Sequence, residues 1–258
     1  MAKIIAIANQ KGGVGKTTTT VNLSACAAQA GKKVLTVDFD PQGNCTSGLG
    51  LDKETAEYSV YDVLINHIDA KDAVLKTKVP GLYCICSKID LAGAEVELVS
   101  EIAREHVLKN ALSSIKSEYD YIFIDCPPSL GLLTINALTC ADTLLVPIQC
   151  EYYALEGLSQ LMDTVHLVQR RLNTQLSVEG VVLTMFDART NLSTQVVAEV
   201  KKYFKHKVYN TIIPRSVRLG EAPSFGLPIT LYDAKSAGAL AYVELAGELI
   251  RKEETNAS

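Results

Sequence analysis

Residues Asn9 to Thr20 read NQKGGVGKTTTT. Glycines, a lysine and a threonine in this order can cradle phosphate. Gly12, Gly13 and Gly15 let backbone N–H groups converge on phosphate oxygens with no Cβ in the way. Lys16 then reaches the β and γ phosphates, and the Thr17 hydroxyl can coordinate Mg²⁺. A helix opening at Thr17 adds free N–H groups and the positive end of its dipole. The start of the stretch is unusual. Where the pattern G-x-x-x-x-G-K-[ST] has its first glycine the chain has Gln10, and beside it stands a second lysine, Lys11.

Two acidic stretches supply what a bound metal needs. VLTVDFDPQGN carries Asp38 and Asp40 off the end of one apolar run, and YIFIDCPPS carries Asp125 off another. A carboxylate leaving a buried strand beside a phosphate loop puts negative charge where a Mg²⁺–water shell requires it. Pro41 follows Asp40, and Pro127 and Pro128 follow Asp125 by two and three residues, so both segments are stiffened.

The elements that must position these residues are short apolar runs alternating with longer helical patterns. Strands are expected at Lys3–Ala8, Lys33–Val37, Leu82–Cys86, Tyr121–Asp125, Thr143–Pro147, Gly180–Thr184 and Val208–Ile213. Several are almost continuous in Val, Ile, Leu and Tyr, as strands buried on both faces must be. Helices are expected at Thr17–Ala30, Ala94–Ser117, Leu130–Cys140, Ala154–Leu172, Ser193–Lys205 and Ala237–Lys252. The alternation implies an α/β fold, a doubly wound and mostly parallel twisted sheet flanked by helices, with ligands at the carboxyl ends of the strands. At 258 residues a single domain over 1–252 is expected, with 253–258 as a flexible tail. Residues 51–79 are polar and weakly patterned, and no clear element is read there.

No apolar run approaches a membrane span, and the segment before the first glycines is too short for a secretory signal, so a cytoplasmic protein is expected. The seven cysteines form no C-x-x-C pair and read as reduced, buried thiols. The net charge of −4 is unevenly spread: residues 166–218 carry +6, leaving −10 for the rest. That asymmetry is compatible with a basic face on an acidic molecule. On the expected helix Ser193–Lys205, Val196, Val197, Val200 and Phe204 mark the buried side, leaving Lys201, Lys202 and Lys205 outward to meet phosphates.

KGGVGKTT resembles the deviant Walker A box of the ParA/MinD family of P-loop ATPases, in which an early lysine replaces the usual glycine. DFDPQGN, DCPPSLG, CEYYALEGL and IPRSVRLGEAPSFG are similar to its chromosomal ParA (Soj) branch, and the likeness runs from about Lys3 to Ala246. The resemblance implies an ATP- and Mg²⁺-dependent hydrolase that forms ATP-sandwich homodimers. In it Lys11 to Thr18, Val14 and Thr18 included, embrace the nucleotide; Lys16 serves its own ATP and Lys11 the neighbour's. The physics agrees, since two Mg²⁺–triphosphates face to face repel unless further cations lie between them. By the same resemblance Asp40 orients the attacking water, Asp125 holds the Mg²⁺ shell with Asp38 supporting it, and Pro214 and Ser216 contact the base. Arg189 and Arg218 correspond to arginines associated with non-specific binding of double-stranded DNA. A ParB-type partner that stimulates hydrolysis, a role in chromosome partition, nucleoid association and, in some relatives, regulation of a replication initiator are also implied. The short stretch before Lys3 leaves no room for a helix-turn-helix domain, which argues against specific operator binding.

Two other readings compete. A MinD-like membrane ATPase needs a basic amphipathic C-terminal helix, whereas this chain ends AGELIRKEETNAS. An iron–sulfur reductase akin to the nitrogenase iron protein needs paired cysteines at a subunit interface, for which Cys126 and Cys140 are the candidates.

Overall fold

The structure, a computed structural model, describes residues 2–151 and 156–257. The strands are β1 Lys3–Ile7, β2 Val34–Asp38, β3 Val74–Lys76, β4 Leu82–Ile85, β5 Tyr121–Asp125, β6 Thr143–Gln149, β7 Ser177–Phe186 and β8 Val208–Pro214. They form one sheet in the order β3-β4-β2-β5-β1-β6-β7-β8. All neighbours are parallel except β3, which pairs antiparallel with β4 at the edge. The α-helices are α1 Lys16–Gln29, α2 Asn44–Gly48, α3 Val60–Ile65, α4 Leu91–Glu97, α5 Val107–Leu112 and α6 Leu132–Cys140. After them come α7 Glu156–Arg171, α8 Asn191–Phe204, α9 Val217–Glu221, α10 Ile229–Tyr232 and α11 Ala237–Ala257.

The nearly continuous apolar strands are explained by two cores, one on each face. Along β1, Ile4 and Ala6 join the core that includes α6, α7 and α8, while Ile5 and Ile7 join the one built by α1 and α11. Small residues Ala25, Ala27 and Ala28 are fully or almost fully buried on α1, letting it lie close to the sheet. α1 is also tied to α11 through the Thr19 and Tyr242 hydroxyls, 3.2 Å apart.

Three expectations are corrected. The single helix over Ala94–Ser117 is broken into α4, short 3-10 turns and α5. Buried Asn136 of α6 is the cause: its side chain takes the Arg104 carbonyl at 2.8 Å and the Leu108 N–H at 3.2 Å, so these groups are satisfied outside a helical ladder. Residues 51–79 do hold structure. α3 begins at a capping box in which the Ser59 N–H donates to Asp62 at 2.8 Å, and β3 follows. Finally, α11 runs past 252 to Ala257. Glu253 pairs with Lys3 at 2.8 Å and accepts from the Tyr121 hydroxyl, so helix replaces tail there. The first residues of the expected helix Ala154–Leu172, together with much of CEYYALEGL, lie outside the described residues, as does Ser258.

Candidate nucleotide site

The sheet order puts β1 between β5 and β6, so the loop leaving β1 stands where chain connections diverge to either side. On one side β2 and β5 deliver their acidic ends in register: Asp38 is opposite Asp125, and Asp125 is opposite Ile7, the last residue of β1. The loop is held from the other side. Asn9 donates to the Pro147 carbonyl at 2.8 Å while its own side-chain oxygen accepts from the Lys11 N–H at 3.0 Å. Thr184 donates to the Val14 carbonyl at 2.8 Å. Neither Asn9 nor Thr184 was legible as a site residue, because their partners lie on β6 and in the loop itself, far away in sequence. Gly15 has φ +87°, a left-handed conformation that admits glycine at little cost.

Lys16 is buried and folds back over the loop, its ammonium donating to the Lys11 carbonyl at 3.0 Å. Burial lowers its pKa, an effect that Asp125 and Asp40 oppose. Lys11 behaves differently. It is half-buried, and among the described residues its ammonium makes no hydrogen bond or ion pair. Gly12 is exposed, and a Cβ built on it would meet nothing within 4 Å.

The expected metal-binding residues are brought together. Thr17 Oγ1 donates to Asp125 Oδ2 at 2.8 Å and Thr20 Oγ1 to Asp125 Oδ1 at 2.8 Å. Asp38 accepts from the Thr46 N–H at 2.7 Å and its hydroxyl at 2.6 Å, which ties α2 to the site. Both carboxyls are fully buried. Burial pushes the pKa of each upward, and the neighbouring charge of Asp38 adds to the shift of Asp125. An all-oxygen set of one hydroxyl and two carboxylates suits Mg²⁺, whose charge would relieve that repulsion. Asp40, only 8% exposed, accepts the Gln42 N–H on Oδ1 at 3.0 Å. No protein donor among the described residues holds Oδ2, so that oxygen can face a water.

A pH dependence follows for nucleotide-free protein in EDTA. The folded-state pKa of Asp125 is raised above its unfolded value, so between the two the folded state holds more protons than the unfolded one. Its stabilising effect is complete below the unfolded value of 3.8 and is lost as pH rises toward about 8. The thermal midpoint is expected to fall across pH 5–8 by an amount corresponding to a few kcal/mol, about one per pKa unit traversed. Asp125→Asn should flatten that slope; an equally steep slope in the variant would refute the assignment.

Beside the loop lies a cavity of about 230 Å³ whose walls include Gly15, Thr18, Pro214, Ser216 and Tyr242. Pro214 and Ser216 therefore share one recess with the loop, at the end of β8. Thr18 belongs to it as well.

The basic residues are spread along α8 and the segments beside it. Arg189, 87% exposed, sits before α8 and forks onto Asp187 with contacts of 2.9 and 2.7 Å. Arg189 in turn holds the Asp187 carboxyl down at about 2. Arg218 on α9 pairs with Glu221 at 3.0 Å and Asp233 at 3.6 Å. Val196, Val200 and Phe204 are buried as expected and Val197 partly so, and Lys201, Lys202 and Lys205 are exposed, with no ion pair among the described residues. These lysines lie at the far end of α8, however, roughly 20 Å from Arg189 at a rise of about 1.5 Å per residue. A second connection is visible near Arg218. Gly50, after α2, and Gly226, after the turn Ala222–Phe225, have φ +73° and +60°, and a Cβ on Gly226 would fall 2.7 Å from Gly50 Cα. Backbone contact thus links the Asp38–Thr46 unit to the segment that carries Arg218.

All seven cysteines are buried, with Cys126 1% and Cys140 5% exposed. Burial raises both thiol pKa values, and neither offers the surface that a cluster shared between subunits requires. No helix among the described residues is long and apolar enough to cross a membrane.

A parallel sheet that presents a glycine-lysine loop and two buried carboxylates at its carboxyl edge defines a P-loop nucleotide-binding protein. Comparison narrows the class. The family model described as AAA domain matches residues 2–178. The sporulation initiation inhibitor protein Soj of Bacillus subtilis is 64% identical over 96% of this chain and 98% of its own length. The chromosome partitioning protein ParA of Myxococcus xanthus is 53% identical over 98% of this chain and 89% of its own. Among solved structures, cobyrinic acid a,c-diamide synthase of Mycobacterium smegmatis, with bound ADP and magnesium, superposes with TM-score 0.88 at 38% identity, covering 99% and 97% of the two chains. The chain belongs to the ParA/Soj family of chromosome-partitioning P-loop ATPases.

Proposed function

We propose that the protein is a partition ATPase whose ATP-bound homodimer holds double-stranded DNA without sequence preference and lets it go on hydrolysis. The observation that carries this reading is the contrast between the two lysines of the loop. Lys16 is turned inward over its own phosphate cradle, whereas the Lys11 ammonium has no partner among the described residues and stands near the open surface of Gly12. An unpaired cation at that rim suits the nucleotide of a second subunit.

Within one subunit the backbone N–H groups of residues 12–18 and Lys16 bind the phosphates, and the recess at Pro214 and Ser216 takes the base. Thr17, Asp125 and Asp38 would hold Mg²⁺, which supplies charge neutralisation on the phosphates. Asp40 Oδ2 orients the attacking water, and the buried, partly dehydrated setting strengthens each of these interactions. Arg189 and Arg218 contact DNA by exchanging their carboxylate partners for backbone phosphates. Dimerisation doubles the set, so two modest electrostatic sites act at high effective concentration. A ParB-type protein is the proposed stimulator of hydrolysis, and a replication initiator a further partner. Nucleoid association follows from DNA binding.

The test is binding to non-specific duplex DNA at two salt concentrations, with no nucleotide, ADP or ATP. Wild type should bind only with ATP and weaken steeply with salt. Arg189→Glu should lose at least tenfold in affinity, and Gly12→Val should lose binding through a blocked dimer while its thermal midpoint stays within about 2 °C, since Gly12 is exposed and a Cβ there meets nothing within 4 Å in the monomer. DNA binding that ignores nucleotide, or that survives Arg189→Glu, would sink the proposal.

A further inference from the structure

The two hydroxyls that reach Asp125 come from one side of one helix. Thr17 and Thr20 stand three residues apart on α1, a spacing that sets one above the other. Thr17 Oγ1 takes Asp125 Oδ2 and Thr20 Oγ1 takes Oδ1, each at 2.8 Å, so the carboxyl group is gripped at both oxygens and cannot rotate without losing a bond. Thr20 has one hydroxyl proton and two acceptors within reach, since the Lys16 carbonyl lies at 3.0 Å. That carbonyl is already served by the helical N–H four residues on, whereas Oδ1 has no other donor among the described residues. The proton therefore belongs to Asp125. Both residues are fully buried, so bulk water cannot stand in for the hydroxyl.

Thr20 differs from the groups assigned above. It sits in the second turn of α1 with no exposed surface to offer a phosphate or a metal ion, so whatever it does there passes through Asp125. Thr17 is only half-buried, and a hydroxyl that donates to Oδ2 keeps its oxygen free to ligate a cation. Asp125 can aim that oxygen only as well as Asp125 is itself held. Asp38 is held separately, by Thr46 of α2, so loss of the Thr20 hydroxyl leaves the second carboxyl its own donors.

We infer that Thr20 is a positioning residue of the metal site: its hydroxyl and that of Thr17 clamp the Asp125 carboxyl group from both sides, and the share of nucleotide affinity that depends on Mg²⁺ depends on this clamp. The inference rests on the reading of Thr17 and Asp125 as the Mg²⁺ residues. Outer partners of this kind fix the orientation of the groups that meet a metal, and their loss weakens its binding without touching the other ligand contacts. The phosphate-binding groups, Lys16 and the N–H groups of residues 12–18, make no contact with the Thr20 side chain other than the Lys16 carbonyl, among the described residues.

The test is calorimetric titration of the full chain with ADP, once with Mg²⁺ and once in EDTA, which separates the metal-dependent gain in affinity from binding of the nucleotide alone. Thr20→Val keeps the shape and removes the hydroxyl. Its affinity in EDTA should stay within about twofold of wild type, while the gain from Mg²⁺ should shrink at least about fivefold, as expected when a buried charged group loses a hydrogen bond. Thr20→Ser, which restores the donor, should recover the gain to within about twofold. Ser24 is the control for packing: it is equally buried on α1, but its hydroxyl donates to the Val21 carbonyl at 3.1 Å, and Ser24→Ala should leave the gain unchanged. A cooperative thermal transition in EDTA confirms that each variant is folded. The inference is overturned if Thr20→Val keeps the full gain, if its affinity falls equally in both conditions, if Thr20→Ser loses as much as Thr20→Val, or if Ser24→Ala shrinks the gain to the same extent. A wild type that binds ADP no more tightly with Mg²⁺ than in EDTA would refute the metal reading itself, and the inference with it.

Discussion

Lys16→Ala is expected to lower ATP affinity by at least about 100-fold while leaving the protein folded. A charge-assisted hydrogen bond to a buried partner is worth about 1.5–3 kcal/mol, and in the proposed complex Lys16 makes such bonds to both the β and γ phosphates. The side chain is well prepared for that role. It is already buried over the loop, and burial lowers its pKa, a shift that the negative charge of bound phosphates would oppose. Folding should survive because, among the described residues, the ammonium hydrogen-bonds only to the Lys11 carbonyl, and a raised pKa lets Asp125 hold a proton in its absence. Calorimetric titration with ATP and Mg²⁺, with the thermal midpoint as control, is the check. An affinity within threefold of wild type would remove Lys16 from the site.

Asp40→Ala should separate binding from chemistry. ATP affinity is expected to stay within about threefold, while turnover falls by roughly 10²–10⁴, the range for a residue that positions and polarises water. The geometry explains the selectivity. Asp40 Oδ1 is committed to the Gln42 N–H, and the proposed phosphate-binding groups all lie in the loop after β1 and the first turn of α1. Loss of the Gln42 contact has its own structural cost, so Asp40→Asn is the companion variant: it keeps an acceptor for that turn and should still lose turnover. Single-turnover hydrolysis with ATP in trapped dimers measures the step directly. Normal turnover in Asp40→Asn would mean the water is positioned by another group.

Much of the site was legible because its chemistry is local. A left-handed glycine at Gly15, a lysine one residue later and a helix beginning there are neighbours in the chain, and their combined geometry is set by backbone sterics. The strands were legible for a related reason: burial on both faces leaves no polar alternation, and the central strands β1, β2 and β5 are buried almost throughout. β3 was missed because it is three residues long, only partly buried and at the edge, where sequence constraints are weakest. The break after α4 was missed because the group that causes it, Asn136, belongs to a helix some thirty residues further on.

The sequence alone therefore determined the phosphate loop, the acidic strand ends, the alternation that makes a parallel sheet and the family resemblance that comparison bears out. Tertiary structure decided which of these pieces meet. It set Asp38 opposite Asp125, anchored the loop through Asn9 to Pro147 and Thr184 to Val14, and divided the basic segment between the two ends of α8. Partners 138 and 170 residues apart are joined by strand order, which arises from the packing of the whole sheet and leaves no trace in a local window. Charge counted along a chain is likewise blind to the helix axis that separates its ends in space.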